Sequence, residues 1–120
     1  MTIVHELLPT DVAQDDDAVA RARSLAHLLA VLGDPTRLAI LSHLRGGEHR
    51  VGELASHLGL AQSTVSQHLE VLRGAGLIST HAHGRAHVSQ LEHADELTAV
   101  LVATSCLARA AQVPTEGAHA

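Results

Sequence analysis

The sequence contains no Phe, Tyr or Trp, and this absence limits how a core can be built. In a chain of 120 residues, Leu, Ile, Val and Ala must fill the interior, which favours helices packed on helices over a sandwich of sheets. A single Cys excludes an internal disulfide and any zinc finger that needs several thiolates. We therefore expect one small domain that is mainly α-helical.

Other absences narrow the function classes. No apolar run approaches the ~20 residues of a membrane-spanning helix, and no basic segment followed by an apolar run begins the chain, so a cytoplasmic protein is expected. There is no nucleophile–base pair at a recognisable spacing, no Gly-rich phosphate loop and no His-Glu-x-x-His motif, so an enzyme is not expected. Lys is also missing, and the eight Arg against 13 acidic residues give a net charge of −5, which by itself argues against a nucleic-acid partner.

Apolar periodicity and helix-terminating residues predict the order of elements. Two short helices joined by a tight turn, the second with a polar outer face, are typical of a helix-turn-helix, and a β-hairpin directly after them makes the unit a winged helix. The predicted elements are helices over 18–32, 35–45, 51–58 and 62–73, a hairpin of 77–83 and 86–91, and a last helix over 94–111. We expect residues 1–14 to form an N-terminal arm, 15–111 the folded domain and 112–120 a disordered tail.

Four segments in this order resemble the ArsR/SmtB family of winged-helix repressors. They are DPTRLAIL at 34–41, ELASHLG at 53–59, STVSQHL at 63–69 and LRGAGLI at 72–78. The resemblance implies a homodimeric, metal- or stress-responsive transcriptional regulator that dimerises through its first and last helices. Its expected partners are palindromic double-stranded operator DNA, a second copy of the chain and, in one alternative, a co-regulator protein.

The excess of acidic residues lies outside the predicted DNA-binding segment, so the net charge of the chain does not exclude DNA as a partner. Residues 35–91 carry +2, and the rest of the chain carries −7. Short polar side chains on the second helix of the motif suit phosphates and base edges. The predicted DNA-binding residues are Ser63, Thr64, Ser66, Gln67, His68, Arg73 and, at the wing tip, Arg85. The alternative is that Ser63 only caps its helix and the other residues form a solvated face.

Eleven His and one Cys raise the question of a metal site. The resemblance implies a site between the last helices of the dimer, where this chain has His93 and Asp95 from one protomer and Cys106 from the other. The order of His and Asp is reversed, and Arg109 stands where the family has a fourth ligand. His5 on the arm is one candidate replacement. These donor types suit Ni²⁺ or Zn²⁺, as in the nickel- and zinc-sensing actinobacterial members of the family.

Alternatives remain for each of these residues. Cys106 also fits a small buried position in an apolar helix, and His93 fits a plain helix start. His81 and His83 share one strand face, and His87 is expected to join them from across the hairpin. The three then form a second metal site, a DNA-facing set that gains charge on protonation, or a solvated wing without a role. The isolated His27, His43 and His57 are interpreted as structural.

The sequence is therefore consistent with three functions. The first is a repressor controlled by Ni²⁺ or Zn²⁺ bound at the last helices. The second is a DNA-binding regulator without metal sensing of its own, acting with a co-regulator. The third is a His-rich protein that buffers metal.

Overall fold

The structure is a computed structural model that describes residues 15–114. The predicted N-terminal arm, with its candidate ligand His5, and residues 115–120 of the predicted tail lie outside the described residues. The elements are α1 (Asp15–Leu32), α2 (Pro35–Leu44), β1 (His49–Arg50), α3 (Val51–Leu58), α4 (Gln62–Gly74), β2 (Ile78–His83), β3 (Ala86–Leu91) and α5 (Ala94–Ala110). The expectation of a mainly helical winged helix is confirmed.

The first two helices meet at a sharp junction. Gly33 ends α1, and Asp34 then caps α2 in an extended conformation, with its carboxylate accepting a hydrogen bond from the backbone N–H of Arg37 at 3.0 Å. Pro35 follows at the first helical position, where its missing N–H costs nothing. The predicted cap is thus confirmed. The three Asp predicted to precede the first helix instead fall within its first turn, because α1 begins at Asp15.

A tight turn joins α3 to α4. Gly59 ends α3 with φ at 67°, in the left-handed region that favours glycine. The N–H of Leu60 donates to the carbonyl of Ala55 at 3.0 Å, which closes a Schellman-type end to the helix. Ala61 then precedes α4 and supplies no side-chain cap. This geometry orients α4 across α3 as the second helix of a helix-turn-helix.

The core lies between α2, α3 and α4. Its five largest fully buried side chains are Ile40, Leu41, Leu54, Val65 and Leu72. Burying one such side chain contributes about 1.5–3 kcal/mol relative to leaving it exposed. The buried hydrophobic residues of the described chain are all Leu, Ile, Val or Ala, as the absence of aromatic residues requires.

The wing is a three-stranded antiparallel sheet in the order β1-β3-β2. The hairpin of β2 and β3 is confirmed, and its turn uses Gly84 with φ at 66°. A third strand that the sequence did not predict, His49–Arg50, pairs with β3. This strand connects the start of α3 directly to the wing.

The first and last helices leave apolar side chains on the surface of the single chain. Leu25 and Leu29 on α1 are 49% and 60% exposed, and Val102 and Leu107 on α5 are 58% and 68% exposed. Of the residues of α5, Leu97 alone is buried. Leu29 of α1 and Val100 of α5 line one depression, so exposed apolar side chains of the two helices adjoin there, as at an interaction face.

Within residues 15–114, no single helix has the length and apolar character needed to cross a membrane. Asp16–Leu32 and Pro35–Leu44, which are bent by 80° from each other, have together the length and composition of a membrane-spanning helix.

Candidate nucleic-acid interface and metal sites

The outer face of α4 presents polar side chains to solvent. Val65, Leu69 and Leu72 recur at helical spacing and point into the core, so the intervening positions turn outward. Of the predicted DNA-binding residues on this helix, Ser63, Ser66 and Gln67 are exposed and Thr64 is half-buried.

The start of α4 is suited to an anion. The cap residue is Ala61, so the alternative that Ser63 serves as the helix cap is wrong. Backbone N–H groups in the first turn lack intrahelical partners and carry the positive end of the helix dipole, which favours a phosphate.

His68 points inward instead of lying on the outer face of α4. Its Nδ1 lies 3.4 Å from Nη1 of Arg37 and 3.9 Å from Oδ2 of Asp34, and its side chain is 21% exposed. Arg37 in turn donates from Nε to the carbonyl of Val31 at 2.6 Å and from Nη2 to that of Ala30 at 3.2 Å. The guanidinium therefore compensates the negative C-terminal end of α1. Because His68 is turned toward Arg37 and Asp34, its side chain is not on the outer face of α4 that was predicted to contact DNA.

Basic groups line the groove between α4 and the wing. Ser66 and Arg73 of α4 and His87 of β3 border one depression of about 240 Å³. Arg50 and Arg85 border a second depression beside it, which His87 also lines. Arg73 is paired with Glu70 one turn earlier, whereas Arg85 is exposed at the wing tip. The position of Arg50 was not predictable from the sequence, because a two-residue strand has no periodicity that reveals it.

Glu53 fixes the start of α3 beside this groove. Its Oε1 accepts the backbone N–H of Arg50 at 2.8 Å. This hydrogen bond, helped by the nearby charges of His49, Arg50 and His57, lowers the pKa of Glu53 below its ordinary value. The ionised carboxylate thus holds the junction between β1 and α3.

The predicted ligands on α5 lie at its two ends. His93 precedes the helix with φ at 57° and ψ at 46°, a left-handed conformation that costs a non-glycine residue energy. Asp95 lies in the first turn, and Asp95 and Cys106 are both exposed. Eleven residues of helix separate them by about 16 Å, so one ion cannot bind both within one chain. The alternative that Cys106 is buried within the chain is wrong.

The chemistry of these donors fits a divalent transition metal only when two protomers combine. Imidazole, carboxylate and thiolate groups all bind Ni²⁺ and Zn²⁺. Arg109 donates from Nη2 to Sγ of Cys106 at 3.6 Å, and a guanidinium cannot serve as a ligand. The set therefore offers three protein ligands, His93, Asp95 and Cys106.

The wing brings together a different set of residues from the predicted trio. His81 and His83 lie with ring centroids 6.0 Å apart, and Glu48 joins them. His87 pairs with Ala82, whose side chain points away from the face that His81 and His83 share. The prediction that His87 joins the pair is therefore wrong, because the hairpin register puts it on the face toward α4.

Two of the three histidines interpreted as isolated, His43 and His57, form a cluster with His49. The rings of His43 and His57 are stacked with centroids 5.3 Å apart, and His49 approaches them edge-on at 6.2 and 5.8 Å. They come from α2, α3 and β1, so no local spacing in the sequence indicates the contact.

Comparisons with known proteins agree with this architecture. A profile described as "Bacterial regulatory protein, arsR family" matches residues 34–80. The chain is similar to the HTH-type transcriptional regulator CmtR of Mycobacterium tuberculosis, with 49% identity over 65 residues, which are 54% of this chain and 55% of that protein. It is also similar to the arsenical resistance operon repressor of Staphylococcus xylosus, with 38% identity over 71 residues, which are 59% and 68% of the two chains.

A solved structure resembles the whole domain. It is a homodimeric winged helix-turn-helix DNA-binding domain of Mycobacterium bovis, with a TM-score of 0.66, 26% identity and alignment of 77% of this chain and 87% of that one. The segment of this chain that aligns with CmtR spans about half the length of CmtR. These proteins are regulators and not enzymes, as the sequence predicted.

Proposed function

The chain belongs to the ArsR family of bacterial regulatory proteins, and we propose that it is a homodimeric transcriptional repressor. A divalent transition metal would control its affinity for operator DNA. The repressor would act in the cytoplasm on a palindromic site. Two-fold symmetry of the protein then matches the two half-sites of the operator.

The observation that carries the proposal is the exposed polar face at the start of α4. Ser63, Ser66 and Gln67 project from a helix whose first turn has no side-chain cap, and the wing lies beside this helix. A helix of this kind enters the major groove with its N-terminal residues at the base edges. Arg85 and Arg50 then lie at positions suited to the adjoining phosphates.

Dimerisation would bury the apolar faces of α1 and α5. Their exposed Leu and Val side chains have no partner in the described part of one chain, and the related domain of Mycobacterium bovis is described as homodimeric. Antiparallel packing of the two copies of α5 would bring the start of one helix beside the end of the other.

Ni²⁺ or Zn²⁺ is the proposed effector. His93 and Asp95 of one protomer and the partner's Cys106 would hold it across this interface. The strained backbone at His93 supports the assignment, because such strain is kept at positions that serve a ligand. Binding that favours one dimer geometry changes DNA affinity, and DNA must change metal affinity by the same factor.

The test is a DNA-binding titration on the promoter region of the protein's own gene, with and without Ni²⁺, Zn²⁺ and Co²⁺. We expect specific binding that one of these ions changes at least about 5-fold. Gln67→Ala should weaken binding about 5- to 100-fold if Gln67 makes a base contact, and Ser42→Ala, an exposed serine on α2, should not.

The outcomes separate the alternatives. His93→Ala and Cys106→Ser should each abolish the metal response while metal-free DNA binding is retained. Specific binding that ignores all three ions would identify a regulator without metal sensing, and the contact of Arg109 with Cys106 favours that second candidate. Many ions bound per protomer without specific DNA binding would instead indicate a metal-buffering protein.

A further inference from the structure

We propose that Glu48, His81 and His83 form a second binding site for a divalent transition-metal ion, at the wing and separate from α5. Nδ1 or Nε2 of each histidine and a carboxylate oxygen of Glu48 lie within 4.8 Å of one another. Two imidazoles and a carboxylate are donors that Zn²⁺, Ni²⁺ and Co²⁺ share.

The distances are close to those of a coordinated ion. A tetrahedral Zn²⁺ with bonds of about 2.0–2.1 Å places two of its ligand atoms about 3.4 Å apart. Nε2 of His81 and Oε2 of Glu48 are already 3.4 Å apart. The side chains of His81 and Glu48 are 41% and 46% exposed, so an ion has direct access and His83 has room to adjust.

The sheet explains why these residues meet. His81 and His83 alternate with Ala82 along β2 and so share one face. Glu48 directly precedes β1, and β3 lies between β1 and β2. The Glu48 side chain therefore reaches across the middle strand, β3. On that strand Val88 pairs with Arg50 of β1 and with His81 of β2, and its side chain is 5% exposed.

An ion bound there would tie the two outer strands of the wing together. β1 leads directly into α3 and β2 leads to the wing tip, so the ion would fix the tip relative to the helix-turn-helix. Three protein ligands leave coordination positions for water, as in open sites. The binding claim does not depend on DNA recognition or on the α5 site.

The test measures Zn²⁺ affinity of the full chain by competition with a chromogenic chelator. The background is the double variant His93→Ala, Cys106→Ser, which removes the ligands proposed on α5. We expect one ion per protomer in this background. His81→Ala and Glu48→Gln should each weaken Zn²⁺ binding at least about 10-fold. A loss of this size is typical even when the substituted residue only hydrogen-bonds to a metal ligand.

His87→Ala is the matched control, because it removes an imidazole from the same hairpin on the opposite face. It should leave the affinity unchanged. His83→Gln is a milder variant at an exposed position, and it should also weaken binding while thermal unfolding stays near that of the background protein. The proposal is overturned if the background protein binds no Zn²⁺, if His81→Ala and His83→Gln bind as the background does, or if His87→Ala weakens binding equally. Since the assay contains no DNA, its result is independent of the proposed repressor function.

Discussion

Asp34 links two helices, α2 and α4, through one carboxylate. Its Oδ2 accepts the backbone N–H of Arg37 and lies 3.9 Å from Nδ1 of His68 on α4. The hydrogen bond from Arg37 lowers the pKa of Asp34 below its ordinary 3.8, and the charges of His68 and Arg37 act in the same direction. A lowered pKa in the folded state means that the ionised carboxylate stabilises the fold above the unfolded value. This stabilisation disappears as the pH falls through the lowered pKa.

We expect Asp34→Ala to lower the Tm at pH 7 by about 3–6 °C, because α2 loses its N-cap. Asp34→Asn should retain most of the stability, since Asn is an equally good cap. Thermal unfolding followed by circular dichroism from pH 7 to about pH 2 checks both variants. The gap between the wild type and Asp34→Ala should narrow below about pH 4. A gap that stays constant, or an Asn variant as unstable as the Ala variant, would contradict the role of the carboxylate.

At the scale of elements, α1 and α5 differ from the three helices between them. The inner helices bury Ile40, Leu54 and Leu72 completely, whereas α1 and α5 present Leu29 and Leu107 to solvent at 60% and 68% exposure. An apolar side chain exposed to this extent on two adjoining helices gains free energy when a second copy covers it. A charged substitution there would place an unpaired charge in the interface.

Leu29→Glu and Leu107→Glu should therefore each weaken dimerisation by at least about 30-fold. Sedimentation analysis over a dilution series measures the dimer dissociation constant. Val71→Glu is the matched control, because Val71 is an apolar residue 42% exposed on α4 and belongs to neither α1 nor α5. Wild-type sedimentation as a monomer would contradict the proposed interface, and equal weakening by Val71→Glu would show that the effect is not local.

The helices were predictable because each has both an apolar period and a local stop. Gly33, Gly59 and the cap at Asp34 define boundaries that the structure reproduces closely. β1 was not predictable, because two residues carry no period and their pairing with β3 is a long-range contact. The position of His87 depends on hairpin register, which changes the face of every side chain when it shifts by one residue.

The candidate DNA face was likewise only partly predictable. The exposed positions of Ser63, Ser66 and Gln67 follow from the apolar spacing of α4. The contact between Arg37 and His68 joins residues 31 positions apart, so nothing local in the sequence shows that both side chains turn inward.

At the scale of the whole molecule, the charge available for DNA is smaller than composition suggests. Residues 35–91 contain five Arg, but Arg37 is engaged at the C-terminus of α1 and Arg73 is paired with Glu70. Arg45, Arg50 and Arg85 remain as exposed side chains. The rest of the sequence carries −7, so we expect the electrostatic attraction to DNA to come from residues 35–91.

This distribution predicts a moderate dependence of DNA binding on salt. If these three Arg of each protomer each neutralise one phosphate, the dimer releases about six counterions, and log K should fall with log[salt] with a slope near −5. Fluorescence anisotropy with labelled operator DNA between about 50 and 200 mM salt measures the slope. Arg85→Ala removes one contact per protomer and should make the slope shallower by about 2, whereas Arg21→Ala, an exposed residue on α1, should leave it unchanged. An unchanged slope in Arg85→Ala would place the wing tip away from the DNA and leave the start of α4 as the main phosphate contact.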